Sequence, residues 1–318
     1  MSALQLRRRI EPGLLRIPDV TGVSHLDDRL RIYVEGTPDV FPRHMDGVRV
    51  EVVKTGKIKA LSLMNVPWFT PQKAVALNRT QRYRPVPGGV SVGHPLVTAG
   101  TMGTTLTVGG TKYGLSNNHV LAAASTDLNP KARIGDPIYQ PGVYDGGIET
   151  DTIGTLAWYH PLYEQRMNLI DAALLLPADP ALLSDDILGI GPHTGPATAM
   201  LEETVKKSGR TTAITQARIL DVNATLKVSY GALTLTFANQ IITDYMASGG
   251  DSGSALLNMD NKLVGLLFAG SSYITVHNHI GHVLSEIGGV PRPPGAGVPF
   301  SVVSALPALV GSLLTGII

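Results

Sequence analysis

The sequence predicts a mostly β protein, and three observations carry that expectation. Short runs of alternating apolar and polar residues recur along the chain, and turns punctuate them. Glycine and proline are plentiful, with 35 Gly and 22 Pro in 318 residues. Aromatic residues make up 5% of the chain and charged residues 16%, a mixture that suits many tight turns better than long helices. A chain of this length can hold a substantial core and two or three structural units. The formal net charge of +1 implies neither a nucleic-acid partner nor an acidic membrane. With no cysteine, disulfides, thiol catalysis and cysteine-based zinc sites are excluded. That absence favours a cytoplasmic setting, and the first residues lack the apolar core of a secretory signal.

Taken in order, residues 1–80 read as a small α+β unit. Arg7-Arg8-Arg9 sits on a terminal helix, where such a cluster is usually a solvated face. Alternation predicts strands over 20–25 and 29–35, with Leu26-Asp-Asp28 as the turn between them. A second hairpin is expected from 48–53 and 57–61 around Thr55-Gly56. This unit carries no catalytic constellation and reads as a packing or oligomerisation module. Residues 78–89, with two prolines and three arginines, read as a linker. From Ser91 onward short strands alternate with Gly and Pro turns. Residues 103–113 form a hairpin with Gly109-Gly110 at its tip, and 205–208, 218–222, 225–230 and 234–237 are strands. Residues 280–287 make a closing helix. Residues 291–318 are a Pro/Gly linker and an apolar tail, uncharged from 295 to 318. Val302, Leu306, Leu309, Leu313 and Ile317 follow helical spacing. We expect this tail to dock on its own chain or on sister subunits of a homo-oligomer. Partner capture and membrane anchoring rank behind, because the tail is barely long enough to span a bilayer and contains Pro307.

The chemistry concentrates in Ser248-Gly-Gly-Asp-Ser-Gly-Ser254. Such a turn can aim the N–H groups of Gly250 and Ser252 at one point, with the Ser252 hydroxyl beside it. A lone serine is a weak nucleophile and needs a base with an orienting acid. His119, in Ser116-Asn-Asn-His-Val120, supplies the base, and Asp171, in Asn168-Leu-Ile-Asp-Ala-Ala-Leu174, the acid. Singly, His119 reads as a satisfied core histidine and Asp171 as a strand-end carboxylate. Together with the serine turn, in the order His, Asp, Ser, they read as a catalytic triad.

With these segments the chain resembles the trypsin-like (chymotrypsin-fold) serine proteases. Gly250-Asp-Ser-Gly253, Ser208-Gly-Arg-Thr-Thr212 and Val264-Gly-Leu-Leu-Phe-Ala-Gly270 carry the likeness further, which spans about residues 90–290. The Leu-Ser-Asn-Asn-His-Val form, with Gln140-Pro-Gly142 and Tyr144-Asp-Gly-Gly147, is most similar to an intracellular branch that includes microbial members and plant Narrow-leaf type proteins. The resemblance implies a chymotrypsin-like double β-barrel over 81–290, its barrels at about 91–200 and 203–275, and an active site in the cleft between them. It implies serine endopeptidase activity on polypeptides without a cofactor. In relatives the residue six before the nucleophile lies at the base of the specificity pocket. Here that residue is Met246, and Ala247, Phe268, Ala269 and Gly270 would form uncharged walls, so cleavage after apolar residues is expected. Two departures stand out. Ser254 replaces a common glycine, and no activation site precedes Gly93-His-Pro-Leu96, so Asp251 must be satisfied by something other than a newly cut N-terminus.

Other readings carry less. Lys207-Ser-Gly-Arg-Thr-Thr212 lacks the Gly-Lys-Ser/Thr order of a phosphate loop. His277, His279 and His282 could ligate a metal, but apart from Glu286 no carboxylate or cysteine sits at ligand spacing, and a loop leading into a helix is the simpler account. A non-proteolytic peptide-binding scaffold with the same fold is the main rival function. An α/β-hydrolase-type esterase would reverse the triad order.

Overall fold

The computed structural model describes residues 1–38, 41–61 and 77–288. The apolar tail expected over 291–318 lies outside these residues. The described chain is mostly β and resolves into four sheets, of eleven, five, three and two strands, with three short α-helices.

The first barrel is built on a five-stranded sheet in the order Pro137–Tyr139, Thr152–Tyr159, Ala173–Pro177, Thr111–Ser116, Thr104–Val108. The hairpin expected at Gly109-Gly110 forms, pairing Thr111 with Val108, and both glycines take positive φ as a tight turn requires. Val90, Val92, Met102, Val120, Leu121, Ile138, Ile153, Leu156 and Leu175 fill the interior.

The second barrel closes on itself. Thr204–Gly209 pairs with Ala255–Asn258, followed by Leu263–Gly270, Ile274–His279, Leu233–Asp244 and Ala213–Tyr230, which returns to Thr204–Gly209. Two strands expected separately, 218–222 and 225–230, are parts of the single Ala213–Tyr230 strand, whose register shifts at three places. Bulges of this kind let one strand bend around a barrel without a turn. The helix expected at 280–287 is present as Ile280–Ile287, burying Ile280, Val283 and Ile287.

The N-terminal strands extend this second sheet. Val20–Leu26 and Arg29–Val34 form the expected hairpin, and Gly22 pairs with Leu226 of the barrel. A Cβ on Gly22 would lie 2.4 Å from the Leu226 side chain and 2.5 Å from the Thr225 carbonyl, so only glycine permits this approach. The helix Ala3–Leu14 opens with a capping box between Ser2 and Gln5. Arg7 corrects the expectation of a solvated basic face. It is 9% exposed and donates to Asn223 Oδ1 at 2.7 Å and Thr225 Oγ1 at 2.9 Å, tying the helix to the barrel.

The second hairpin expected at Thr55-Gly56 does not form. Val48–Lys54 instead pairs in parallel with Arg29–Val34. Lys59–Ala60 leaves that unit and pairs with both Ala213–Tyr230 and Leu263–Gly270. The linker expected at 78–89 is also more structured than its composition suggests. Val86–Gly88 is a strand, and buried Arg79 donates to Ser208 Oγ at 2.9 Å.

Candidate active site

The first barrel's strand register brings His119 and Asp171 together. Ser116 pairs with Ala173, so the residues after one strand and before the other leave the sheet at the same end. His119 follows on the one-turn helix Asn118–Leu121. Asp171 is fully buried, and its Oδ2 lies 2.6 Å from His119 Nδ1. A carboxylate can only accept here, so Nδ1 carries the proton and Nε2 is the basic nitrogen. The backbone N–H of His119 donates to Asp171 Oδ1 at 3.2 Å. Nε2 is buried and has no hydrogen-bond partner among the described residues.

Three residues that the sequence did not single out hold the aspartate. Tyr230 donates its hydroxyl to Oδ2 at 2.7 Å, and its ring meets the His119 ring edge-on at 5.9 Å. Burial, reinforced by the neighbouring carboxylate, pushes the Tyr230 phenol well above its ordinary pKa, so it remains a donor. Asn278 Oδ1 accepts the Asp171 N–H at 2.9 Å, and Asn117 Nδ2 donates to the Asp171 carbonyl at 2.7 Å. Each sits in an ordinary strand or turn sequence, and only the fold points it inward.

Ser252 lies in the turn between the Leu233–Asp244 and Ala255–Asn258 strands. Gly250 and Gly253 both have φ near +94°. At Gly253 a Cβ would meet Ser116 Oγ at 2.1 Å and the Thr101 carbonyl at 2.2 Å. The turn is thereby pressed against the strand that leads to His119. Gly100 and Thr101 make the second link: Thr101 N–H donates to the Ser252 carbonyl at 2.7 Å, and Gly100 packs beneath Val120. The Ser252 hydroxyl itself donates to the Phe268 carbonyl at 3.2 Å. Ser254 Oγ donates to the Asp251 carbonyl at 2.6 Å, giving the departure from glycine a structural role.

The partner demanded by Asp251 is Lys207. Both side chains are completely buried, with Nζ 3.3 Å from Oδ2. The N–H groups of Thr211, Thr212 and Ser248 and the Thr212 hydroxyl complete the carboxylate's shell. Burial lowers the Lys207 pKa, and Asp251 works against that shift. On the other side, Arg210 forms a two-pronged pair with Asp145 of the Tyr144-Asp-Gly-Gly147 segment, bridging the barrels.

The expected pocket residues are placed as follows. Met246 and Ala247 are buried, and Met246 packs with Ala199, Val205, Ile219, Ile241, Leu256 and Val264 inside the second barrel. Phe268 and Ala269 belong to a separate apolar cluster with Ile58, Phe237 and Ile274. The Phe268 carbonyl accepts the Leu61 N–H at 3.1 Å, and the Gly250 N–H donates to the Leu61 carbonyl at 2.8 Å. Gly270 faces Leu61 Cδ1.

A model of the Trypsin family matches residues 80–284, well over half of the chain. The chain belongs to the trypsin family of serine endopeptidases. No curated protein matches it. Among solved structures, Thermobifida fusca protease A is 20% identical, with a TM-score of 0.48, covering 64% of this chain and 96% of that one. A Nocardiopsis protease is 17% identical (TM-score 0.45; 63% and 95%), and Cellulomonas bogoriensis chymotrypsin 19% identical (TM-score 0.44; 64% and 96%). In this trypsin-family chain no group of three or more His, Cys, Asp or Glu among the described residues could hold a metal ion. His277 donates to or accepts from Thr243 Oγ1 at 3.1 Å, His279 meets the Val222 carbonyl at 2.7 Å, and His282 meets Asn239. No helix among the described residues is long and apolar enough to cross a membrane.

Proposed function

We propose that this endopeptidase works through His119, Asp171 and Ser252 and cuts polypeptides after apolar residues. Ser252 Oγ attacks the scissile carbonyl while His119 Nε2 takes its proton and later returns it to the leaving amine. Asp171 fixes the imidazole tautomer and stabilises the imidazolium. The N–H groups of Gly250 and Ser252 receive the developing oxyanion. Attack requires the Ser252 hydroxyl to turn from the Phe268 carbonyl toward Nε2. The observation that carries this reading is the 2.6 Å contact between His119 Nδ1 and a fully buried Asp171. A buried carboxylate is costly unless such donors surround it.

The apolar preference rests on Met246, Ala247, Phe268, Ala269 and Gly270, none of which offers charge to a Lys or Arg side chain. Profiling cleavage sites in a peptide library, with Ser252→Ala as the control, tests both parts. Cuts after Leu, Met and Phe that vanish in the variant are expected, whereas a profile dominated by Arg contradicts the pocket assignment. The homo-oligomer is a further proposal, resting on the helical spacing of apolar residues in the tail.

A further inference from the structure

The segment that leaves the N-terminal unit arrives where an extended peptide would be held for cutting. Lys59 pairs antiparallel with Gly270, and Ala60 with Ala269. One residue further, the Leu61 N–H donates to the Phe268 carbonyl at 3.1 Å. The Leu61 carbonyl then accepts the N–H of Gly250 at 2.8 Å. Its Cδ1 lies 3.4 Å from where a Cβ on Gly270 would stand. Ile58 anchors the other end: it is 1% exposed, packs with Phe268 and Ala269, and accepts the Ser229 N–H at 3.0 Å.

Simple addition of an edge strand explains the pairs at 59 and 60. It does not explain why the next carbonyl leaves the strand ladder to bond Gly250, whose N–H belongs to the nucleophile's own turn. That bond sets the Leu61 carbonyl on a donor positioned for an oxyanion, with an apolar side chain against the pocket wall. Ser252 is fully buried under this arrangement.

We propose that the chain is its own substrate and cuts the Leu61–Ser62 bond in cis, an inference that rests on the nucleophile assignment above. Ser252 Oγ bonds to the Leu61 carbonyl carbon as its proton passes to His119 Nε2. The carbon–nitrogen bond to Ser62 then breaks, and His119 gives that proton to the departing amine. Water, deprotonated by His119, hydrolyses the Leu61–Ser252 ester and leaves a Leu61 carboxylate and a free serine. The products are residues 1–61 and 62–318.

The test follows the purified full chain by intact mass and N-terminal sequencing. Fragments 1–61 and 62–318, the latter beginning Ser-Leu-Met, should form at a rate independent of protein concentration and be absent in Ser252→Ala. In parallel, a fluorogenic amide of Ile-Lys-Ala-Leu is offered to the Leu61→Asp chain, which should not cut itself and should hydrolyse the amide at least 5-fold faster than wild type. An intact wild-type chain alongside amide hydrolysis overturns self-cleavage and leaves the peptidase reading standing. An intact chain with no amide hydrolysis overturns both. Cutting that accelerates with concentration, or equal cutting of Ser252→Ala by added wild type, overturns the cis step.

Discussion

Replacing Lys207 with Met tests how the nucleophile turn is held. Methionine keeps most of the lysine's volume, so the change removes charge without opening a cavity. The Lys207 and Asp251 side chains are both completely buried, and their 3.3 Å contact is the carboxylate's ion pair. Breaking a buried pair from one side costs about 3–5 kcal/mol, because the remaining charge is left uncompensated. Here Asp251 keeps four other donors, from Thr211, Thr212 and Ser248. These offset part of the loss and place the expected cost near the lower end, at about 3 kcal/mol. Urea denaturation in a Ser252→Ala background, which prevents autolysis, reads this directly. Asp251→Asn added to Lys207→Met should recover part of the loss, because the two sites share one interaction. A Lys207→Met cost below about 1 kcal/mol would refute the view that this pair replaces a cut N-terminus in satisfying Asp251.

Other expectations follow from the same geometry. Tyr230→Phe removes the hydroxyl bonded to Asp171 and should lower kcat about 10-fold with little change in KM, because it disturbs the proposed triad rather than substrate binding; an unchanged kcat contradicts this role. Gly253→Ala should cost more than about 3 kcal/mol or abolish soluble expression, since the new Cβ would clash with Ser116 Oγ and the Thr101 carbonyl, far inside van der Waals contact, at positive φ. Burial, aided by the nearby Lys207 charge, lowers the His277 pKa to about 3, and burial lowers that of His279 to about 4, from 6.5. The unfolded chain therefore takes up these protons first. Their contribution to stability is complete above about pH 6.5 and is lost as pH falls toward 4 and then 3, at up to about 1.4 kcal/mol per pH unit for each histidine. His277→Gln should flatten that slope in pH-dependent denaturation, and an unchanged slope would remove His277 from the account.

Much of this was legible in the sequence because the responsible signals are local. Gly109-Gly110 announces a hairpin, the apolar spacing of Ile280, Val283 and Ile287 announces a helix, and the glycines of Ser248–Ser254 announce a tight turn. What escaped depends on distant chain. Lys59–Ala60 is too short for any periodicity, and its partners lie about two hundred residues away, so local alternation assigned it to a hairpin with 48–53. The bend of Ala213–Tyr230 is made by bulges rather than by Gly or Pro, so 218–222 and 225–230 read as two strands. Nothing in the local sequence ties Tyr230 and Asn278 to Asp171 or Lys207 to Asp251 until barrel closure brings them together. The need for a partner to Asp251 was nevertheless visible, and Lys207 in the adjoining strand answers it.

The central claim is that Ser252 is a nucleophile activated by His119 and Asp171. Reaction with a fluorophosphonate, with the modified residue mapped by mass spectrometry, tests it most directly. The wild-type and Leu61→Asp chains should both carry the label on Ser252, the second faster because its own segment no longer occupies the site. Ser252→Ala and His119→Ala should remain unlabelled. A folded Leu61→Asp chain that takes no label, or takes it elsewhere, would contradict the account.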